Sequence, residues 1–402
     1  MKTPLAWLNL LHDKTRALVA VAGVAFAVVL VLVQLGFLGA VERTATQIYD
    51  QLDFDVLIVS KQYFYLSKAG TFPRARLFHA LSAEGVASGK PVYLCFNYWL
   101  NGKPSEEKDK KGKEEKLLRR GIFVIGLNLG DGDEIFRSGQ VRDQLPLLQQ
   151  PGYVLMDTLS RKKFFGGDWE HNDELEIGGR HIQVAGTFGM GTGFGADGDV
   201  IVSDETFRQL FPGRSVDEVS LVLLRTADGK AEEVAARLER MLLPDVQVLT
   251  REQIKKHEQN YWVKRTSVGV IFKLGVIVGF IVGTAIVYQV LSSDIANHMP
   301  EYATMKAMGY GPGHLAGVVL QQAWILSLVG FLPGWIISKI LYAITRDGAK
   351  VPMLFDIDGT KIPMLLDWPL TWRVLVMSVA MCSLSGLVAL RKVNSADPAD
   401  LF

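Results

Sequence analysis

Two stretches of the chain carry residue types that catalysis or ligand binding often uses. The first is His171-Asn172-Asp173-Glu174, in which three side chains could ligate a metal ion. Consecutive short polar residues are also typical of a turn, and we interpret the stretch as a polar turn. The second is the glycine-rich stretch 186–195, which lacks the Lys-Ser/Thr pair of a phosphate-binding loop and does not lead directly into a helix. We expect it to be a flexible connection.

Recognisable catalytic motifs are missing from the sequence. It contains no Walker A motif, no HExxH, no CxxC and no evident Ser/His/Asp pattern. We therefore predict no catalytic residues and no metal ligands, so any work that the protein performs needs an energy source in a partner. The two cysteines, Cys95 and Cys382, are predicted to lie in soluble and membrane regions respectively, and no structural disulfide is expected.

The most informative polar residues lie between two apolar runs, at residues 292–314, and are called the polar segment below. Glu301 and Lys306 supply charges that a partner groove could pair with. Tyr302, Met305 and Met308 supply apolar side chains of the kind that dominates interface energy. The pattern is that of a short amphipathic helix, and the alternative is a plain connecting loop.

Composition separates membrane from aqueous regions. The 402 residues are 49% hydrophobic and 21% charged, with the apolar residues concentrated in long runs. A net charge of +1 argues against a nucleic-acid partner, which would need a dominant basic face. Length and composition together predict a membrane part and one sizeable soluble domain.

Four apolar runs predict transmembrane helices, because about 20 residues at 1.5 Å each span the hydrocarbon core. The first, residues 17–40, follows an amphipathic start over residues 1–16 and is longer than the apolar part of a cleaved signal peptide. We expect a kink in the third helix at Gly330 and Pro333. The other three spans are predicted at about residues 268–291, 315–340 and 370–390 within the segment 268–402.

Residues 41–267 alternate short β-like runs with helical stretches and predict one α+β domain inserted between the first two spans. The charged run 101–120 is interpreted as a solvated loop. Helical character at both ends of the domain suggests a stalk. In particular, Arg251–Thr266 has no helix breaker before the second span, so we predict an unbroken helix from Arg251 to Leu291.

Glycines recur every fourth residue in the second span, at Gly275, Gly279 and Gly283. They lie on one face of a helix and predict close packing of another helix there, either within the chain or across a dimer. The positive-inside rule modestly favours cytoplasmic termini. The basic residues that support this orientation are Lys2, Lys14, Arg16, Lys306, Arg391 and Lys392, whereas Arg346, Lys350 and Lys361 oppose it.

The segment Pro300–Tyr310 resembles the coupling segment of FtsX/MacB-type permeases, which has the pattern Arg-Glu-Ile-Gly-x-x-Lys-Ala-hydrophobic-Gly. Glu301, Lys306, Ala307 and Gly309 match the pattern in place. Met299 and Ala303 replace a basic residue and a glycine. The sequence Met-Pro-Glu-Tyr-Ala-Thr-Met-Lys-Ala-Met-Gly-Tyr is similar to that of the DevC branch. The one-plus-three arrangement of spans agrees with this resemblance.

The resemblance implies the permease of a type VII ABC transporter, a four-span inner-membrane protein with both termini cytoplasmic and its large domain periplasmic. It implies a homodimer that binds a cytoplasmic ABC ATPase, and the ATPase rather than this chain would hold ATP and Mg. DevC-like permeases are associated with a membrane-fusion adaptor and, through it, a TolC-like outer-membrane channel for lipidic or amphiphilic cargo. The residues implied in ATPase coupling are Pro300, Glu301, Tyr302, Met305, Lys306, Met308 and Gly309.

A second function class has the same layout. FtsX-like proteins activate a cell-wall hydrolase through the outer domain and transport nothing, and neighbouring genes would distinguish this role from export. A membrane-anchored sensor without an ATPase is disfavoured, because it would not need the third and fourth spans.

Overall fold

The computed structural model describes residues 14–100, 119–130, 135–161, 165, 169–191, 193–215, 217–347 and 364–394. The chain divides into two compact units. The helical unit comprises residues 1–40, 267–349 and 361–402, and the sheet unit comprises residues 41–266 and 350–360. The predicted amphipathic start before Lys14 and most of the charged run 101–120 lie outside the described residues.

Four helices in the described part are long and apolar enough to cross a membrane. They are α1 (Lys14–Gln51), α7 (Ser267–Asn297), α9 (Pro312–Asp347) and α10 (Trp368–Asn394), numbered along the chain with the shorter helices given below. Each exceeds its predicted span, because helix formation continues into the polar flanks; α1, for example, extends to Gln51. Helix α9 is continuous through Pro333.

Interhelical hydrogen bonds join the core of the helical unit. The hydroxyl of Tyr342 in α9 donates to the carbonyl of Leu32 in α1. The hydroxyl of Ser385 in α10 donates to the carbonyl of Thr284 in α7 at 2.7 Å. The hydroxyls of Ser327 and Ser378 pair at 3.0 Å. Because apolar side chains gain little by leaving lipid, such polar contacts and close packing hold membrane helices together.

The sheet unit is built on a nine-stranded mixed sheet with the order β11-β1-β10-β3-β4-β8-β5-β7-β6. Most neighbours are antiparallel, whereas the pairs β4–β8 and β5–β7 are parallel. Two short strands, β2 and β9, pair separately. The strands are β1 (Val56–Ser60), β2 (Phe72–Pro73), β3 (Val86–Leu100), β4 (Arg119–Leu127), β5 (Tyr153–Asp157), β6 (Glu174–Ile177), β7 (Arg180–Phe188), β8 (Gly198–Ser203), β9 (Glu218–Val219), β10 (Leu221–Thr226) and β11 (Val246–Thr250).

Each face of this sheet carries its own apolar core. Helices α2 (Ala75–Leu81), α4 (Asp204–Leu210) and α5 (Ala231–Met241) contribute buried side chains to the core on one face. The end of α1 and helix α6 (Arg251–Asn260) contribute Tyr49, Leu52 and Ile254 to the other. Burial on both faces explains why the central strands are nearly continuous apolar runs. The described part of the unit also contains the short α3 (Gly139–Arg142).

The predicted fold class is confirmed: four membrane helices, with a mixed α+β domain between the first and second. The predicted unbroken helix from Arg251 to Leu291 is wrong. Helix α6 passes into a π-helical turn at Tyr261–Arg265, and Thr266 then adopts an extended backbone, with φ −104° and ψ 158°, before α7 begins. The sequence contains no glycine or proline at this point, which is why the interruption was missed.

Candidate functional site

The polar segment contains one short helix, α8 (Met299–Ala307), between α7 and α9. Pro300 occupies its first turn, where the absence of a backbone N–H costs no helical hydrogen bond. Gly309 has φ +89°, and the Tyr310 amide donates to the Met305 carbonyl at 3.1 Å, which ends the helix. The segment is therefore a defined helix with a glycine stop.

Side chains of the polar segment divide between solvent and the helical unit. Glu301 is exposed, and Met308 is 64% exposed. Tyr310 is exposed and stacks on His314, with ring centroids 4.8 Å apart. In contrast, Met305 is half-buried and packs against the core of the helical unit. The exposed apolar contribution to a partner surface thus comes from Met308 and Tyr310, and the role of Met305 as a partner anchor stays a prediction.

The remaining residues of the predicted coupling set lie on the same helix. Tyr302 and Lys306 belong to α8 between Glu301 and the glycine stop. Sequence reasoning assigned no role to Asp294 and His298, which precede α8. The His298 Nδ1–H donates to the Asp294 carbonyl at 3.0 Å and lies 3.4 Å from the Asp294 carboxylate, and Gln322 of α9 donates to that carboxylate at 3.4 Å. The four-residue spacing of Asp294 and His298 was the available signal.

The three glycines of α7 lie against other helices of the same chain. A side chain at Gly279 would meet Val31 of α1, and one at Gly283 would meet Ala27 of α1 and Met381 of α10. Gly275 lies directly against Gln34. The structure therefore places this glycine face within the chain, which was one of the two alternatives that the sequence left open.

A second candidate site is a cavity in the sheet unit. Sequence reasoning missed this cavity. Helix α6 positions part of it through a capping box: the Thr250 side chain accepts from the Gln253 amide, and the Gln253 side chain accepts from the Thr250 amide. Arg251 then donates to the carbonyls of Tyr49 and Phe54, at 2.8 and 3.0 Å, which fixes the end of α1 beside α6. Two helix ends thus meet over the sheet.

Glu258 of α6 is buried at this meeting point. The Tyr63 hydroxyl donates to its carboxylate, and the Tyr49 hydroxyl lies 3.4 Å away and pairs with Tyr63. Burial raises the pKa of Glu258 to about 7, whereas hydrogen bonds from neighbouring groups, Tyr63 first, act to lower it. Burial also raises the pKa of Tyr63 well above its usual value. The Glu258 side chain can therefore change protonation near neutral pH.

The glycine-rich stretch forms another wall of the cavity. It is not a free connection: Gly186 and Phe188 lie within β7, and the amides of Met190 and Gly191 donate to the Asp157 carboxylate at 3.1 and 2.6 Å. Gly191 has φ +89° and lies against Gln47, whose amide donates to the Met190 carbonyl. The expectation of a flexible connection is therefore wrong. Glycine is needed here for backbone conformation and close approach.

The described residues of the stretch 171–174 show a polar turn and no metal-binding arrangement. Asn172 has φ +71°, and the Asp173 carboxylate accepts from the Glu170 amide at 2.9 Å, as in a polar turn. Across the described ranges, no group of three or more His, Cys, Asp or Glu side chains could hold a metal ion. Cys95 and Cys382 are both free thiols.

Comparison with solved structures gives 30 matching chains, two of which are domains or regions that lie outside the cytoplasm. One is the extracellular domain of the noncanonic ABC-type transporter YknZ from Gram-positive bacteria, at 14% identity and a TM-score of 0.32, covering 49% of this chain and 100% of that chain. The other is the periplasmic region of MacB from Actinobacillus actinomycetemcomitans, at 11% identity and a TM-score of 0.33, covering 54% of this chain and 98% of that chain. No curated protein matches the chain.

Long apolar helices, a mixed domain between the first two and a short helix between the second and third define a membrane permease component. Family models agree: the MacB-like periplasmic core domain matches residues 17–241, more than half of the chain, and the FtsX-like permease C-terminal domain matches residues 273–398. The chain belongs to the FtsX/MacB family of ABC-type permeases. Membership makes the sheet unit its extracytoplasmic domain and implies an ABC ATPase partner.

Proposed function

We propose that this chain is the permease subunit of an ATP-driven tripartite efflux complex of the DevC type. In this proposal the chain forms a homodimer, binds a cytoplasmic ABC ATPase and transmits ATP-driven motion to the periplasmic domain. A membrane-fusion adaptor and a TolC-like outer-membrane channel complete the export route for a lipidic or amphiphilic cargo. Both termini and α8 face the cytoplasm, and ATP and Mg are bound by the ATPase.

The observation that carries the proposal is the surface of α8. It exposes the Glu301 carboxylate, and the next residue after the helix, Met308, is also exposed; both lie between two membrane-length helices, inside the region matched by the permease model. An exposed apolar side chain beside a charge provides the two elements of a specific docking contact, because apolar burial supplies affinity and charge supplies orientation.

Anchorage of the segment supports the second half of the proposal, transmission of motion. Met299 and Met305 pack on the helical unit, and Gln322 of α9 donates to Asp294 at the end of α7. A displacement applied to α8 therefore acts on α7 and α9 through packed and hydrogen-bonded contacts. These contacts belong to helices that enter the membrane, so coupling through them requires no catalytic residue in this chain.

A charge reversal tests the docking contact. We expect Glu301→Arg to reduce co-purification of the ABC ATPase from the native host by at least about tenfold, the effect of a hot-spot residue. The measurement is the ATPase recovered with tagged full-length permease from detergent-solubilised membranes. The same substitution at Glu232, an exposed acid in the first turn of α5, is the matched control.

Equal recovery of the ATPase with Glu301→Arg and Glu232→Arg would refute the docking surface. Recovery of the adaptor with the wild-type complex is expected for export. If the ATPase and a cell-wall hydrolase are recovered without an adaptor, the efflux assignment fails and the FtsX-like regulatory role replaces it.

A further inference from the structure

The cavity of the sheet unit has a lining of one electrostatic sign. It encloses about 40 Å³ and is lined by carboxylic acids, Asp199 and Glu258, together with aromatic and small residues. Within the described residues, its lining includes no lysine, arginine or histidine. Once ionised, these acids attract cations and repel anions, and a bound cation in turn favours their ionised form. This cavity is separate from α8, so its ligand can be studied without an ATPase.

Asp199 is the residue that most needs an explanation. It lies in β8, and side chains alternate along a strand, so Asp199 shares a face with Ile201. That face carries Phe123, which is paired with Asp199 in the adjacent strand and also lines the cavity. The Asp199 side chain therefore points toward the cavity rather than toward the opposite core, which holds Val200 and Val202.

Among the described residues, the buried Asp199 carboxyl group has no hydrogen-bond or ion-pair partner. The residue is 3% exposed, and in the described part of the chain its carboxyl oxygens accept no hydrogen bond and form no ion pair. The nearby Asp157 differs, because three backbone amides donate to its carboxylate. Burial and the Asp157 charge raise the pKa of Asp199 well above its usual range. A buried acid without a donor is costly unless a ligand supplies one.

Aromatic rings form the remaining walls. Trp262 packs against Tyr65 and Phe194, with ring centroids 5.5 and 4.5 Å apart, and Phe96 packs against Phe123 at 5.0 Å. All five residues line the cavity. Aromatic faces attract organic cations through their quadrupole, and this attraction is stronger where water is excluded. Ser67 adds a hydroxyl that can accept a hydrogen bond.

We propose that the cavity of the sheet unit binds a small alkylammonium ion. Its N–H groups donate to Asp199, Glu258 and Ser67, and its alkyl part contacts the aromatic rings. The volume corresponds to roughly three water molecules, which fits a short amine and leaves no room for a long chain. The described residues provide too few ligands for a metal ion, which favours the organic cation.

The test compares ligands of equal shape and different charge on the purified full-length protein in nonionic detergent. The probes are n-propylammonium, n-propanol and propionate, titrated by ligand-observed saturation-transfer NMR. We expect n-propylammonium to bind at least about tenfold more tightly than n-propanol, and propionate not to bind. Equal binding of the amine and the alcohol, or displacement of the amine by K⁺ at equal concentration, would overturn the proposal.

Substitutions in the lining test whether n-propylammonium binds in this cavity. Asp199→Asn keeps the shape and removes the charge, and we expect it to weaken n-propylammonium binding at least about tenfold. Asp228→Asn, at an exposed turn position, is the charge-matched control and should bind as the wild type does. Phe194→Leu removes one ring face and should weaken the binding of n-propylammonium while leaving the binding of n-propanol unchanged. This variant tests the site if Asp199→Asn fails to fold. Unaltered amine binding in a folded Asp199→Asn or Phe194→Leu protein would refute the assignment.

Discussion

Glu258 is a buried acid whose ionisation links stability to pH in the range up to neutrality. Its pKa lies at about 7 in the folded chain, against an ordinary value of 4.5, so the folded state retains the proton between these two pH values. The contribution of Glu258 to the free energy of unfolding is therefore largest below about pH 4.5 and falls as the pH rises to 7. At about 1.4 kcal/mol per pH unit, the loss is on the order of 3 kcal/mol.

Glu258→Gln removes this loss, because the amide is neutral and can still accept the hydrogen bond of Tyr63. We expect the variant to unfold at a higher temperature than the wild type at pH 8, with the two proteins converging near pH 4.5. Thermal unfolding of the purified full-length chain across this range measures the difference. Glu252→Gln, on the exposed side of the same helix, should leave the wild-type profile unchanged. If the unfolding temperatures of Glu258→Gln and the wild type depend on pH in the same way, ionisation of Glu258 is not the cause of the loss of stability.

Helix α7 packs closely enough along its glycine face to be sensitive to side-chain size. A methyl group at Gly283 would lie 2.5 Å from the Cβ of Ala27, which has no rotatable side chain to move away. We expect Gly283→Ala to destabilise the protein by about 1–3 kcal/mol, as overpacking does. The measurement is thermal unfolding of the full-length chain in one detergent.

Gly317 of α9 provides the control for this substitution. A methyl group there meets no atom within 4 Å, and alanine favours helix over glycine. Gly317→Ala should therefore leave the unfolding temperature unchanged or raise it slightly. If both alanine variants unfold at the same temperature as the wild type, α7 does not pack tightly along its glycine face.

Secondary-structure elements were predictable from the sequence where one hydrophobic periodicity or one continuous apolar run determines them. The four membrane-length helices cover the predicted spans, and α8 falls inside the predicted polar segment. The break at Thr266 was not predictable from helix propensity, because it follows a π-helical turn rather than a glycine or proline. Helix ends thus depend on tertiary contacts that the local sequence does not report.

The cavity was missed for a related reason. Its residues come from α1, β4, β8, α6 and the glycine-rich stretch, which are far apart in the chain and share no motif spacing. Sequence reasoning assigned no role to Asp199, and the strand register that turns it toward Phe123 arises only when β4 and β8 pair. Family resemblance, in contrast, was readable, because the residues that carry it are consecutive.

At the scale of the whole molecule, the proposed function requires the sheet unit and α8 to lie on opposite sides of the membrane. One membrane-length helix, α7, separates them along the chain, so an odd number of crossings connects the two. Basic residues alone favour this orientation only modestly, since Arg346 near the end of α9 and Lys350 and Lys361 after it in the sequence oppose it. Orientation therefore needs a direct measurement.

Single cysteines at exposed positions report the side on which each unit lies. We place them at Asp228 of the sheet unit and at Thr304 of α8, in a Cys95→Ser/Cys382→Ala background, and treat spheroplasts with a membrane-impermeant maleimide. Asp228→Cys should be labelled in intact spheroplasts, whereas Thr304→Cys should be labelled only after the membrane is permeabilised. Labelling of both positions after permeabilisation controls for accessibility. The reverse pattern in intact spheroplasts would place α8 outside the cell, where no ATP-hydrolysing partner could act on it, and coupling through Glu301 and Met308 would be ruled out.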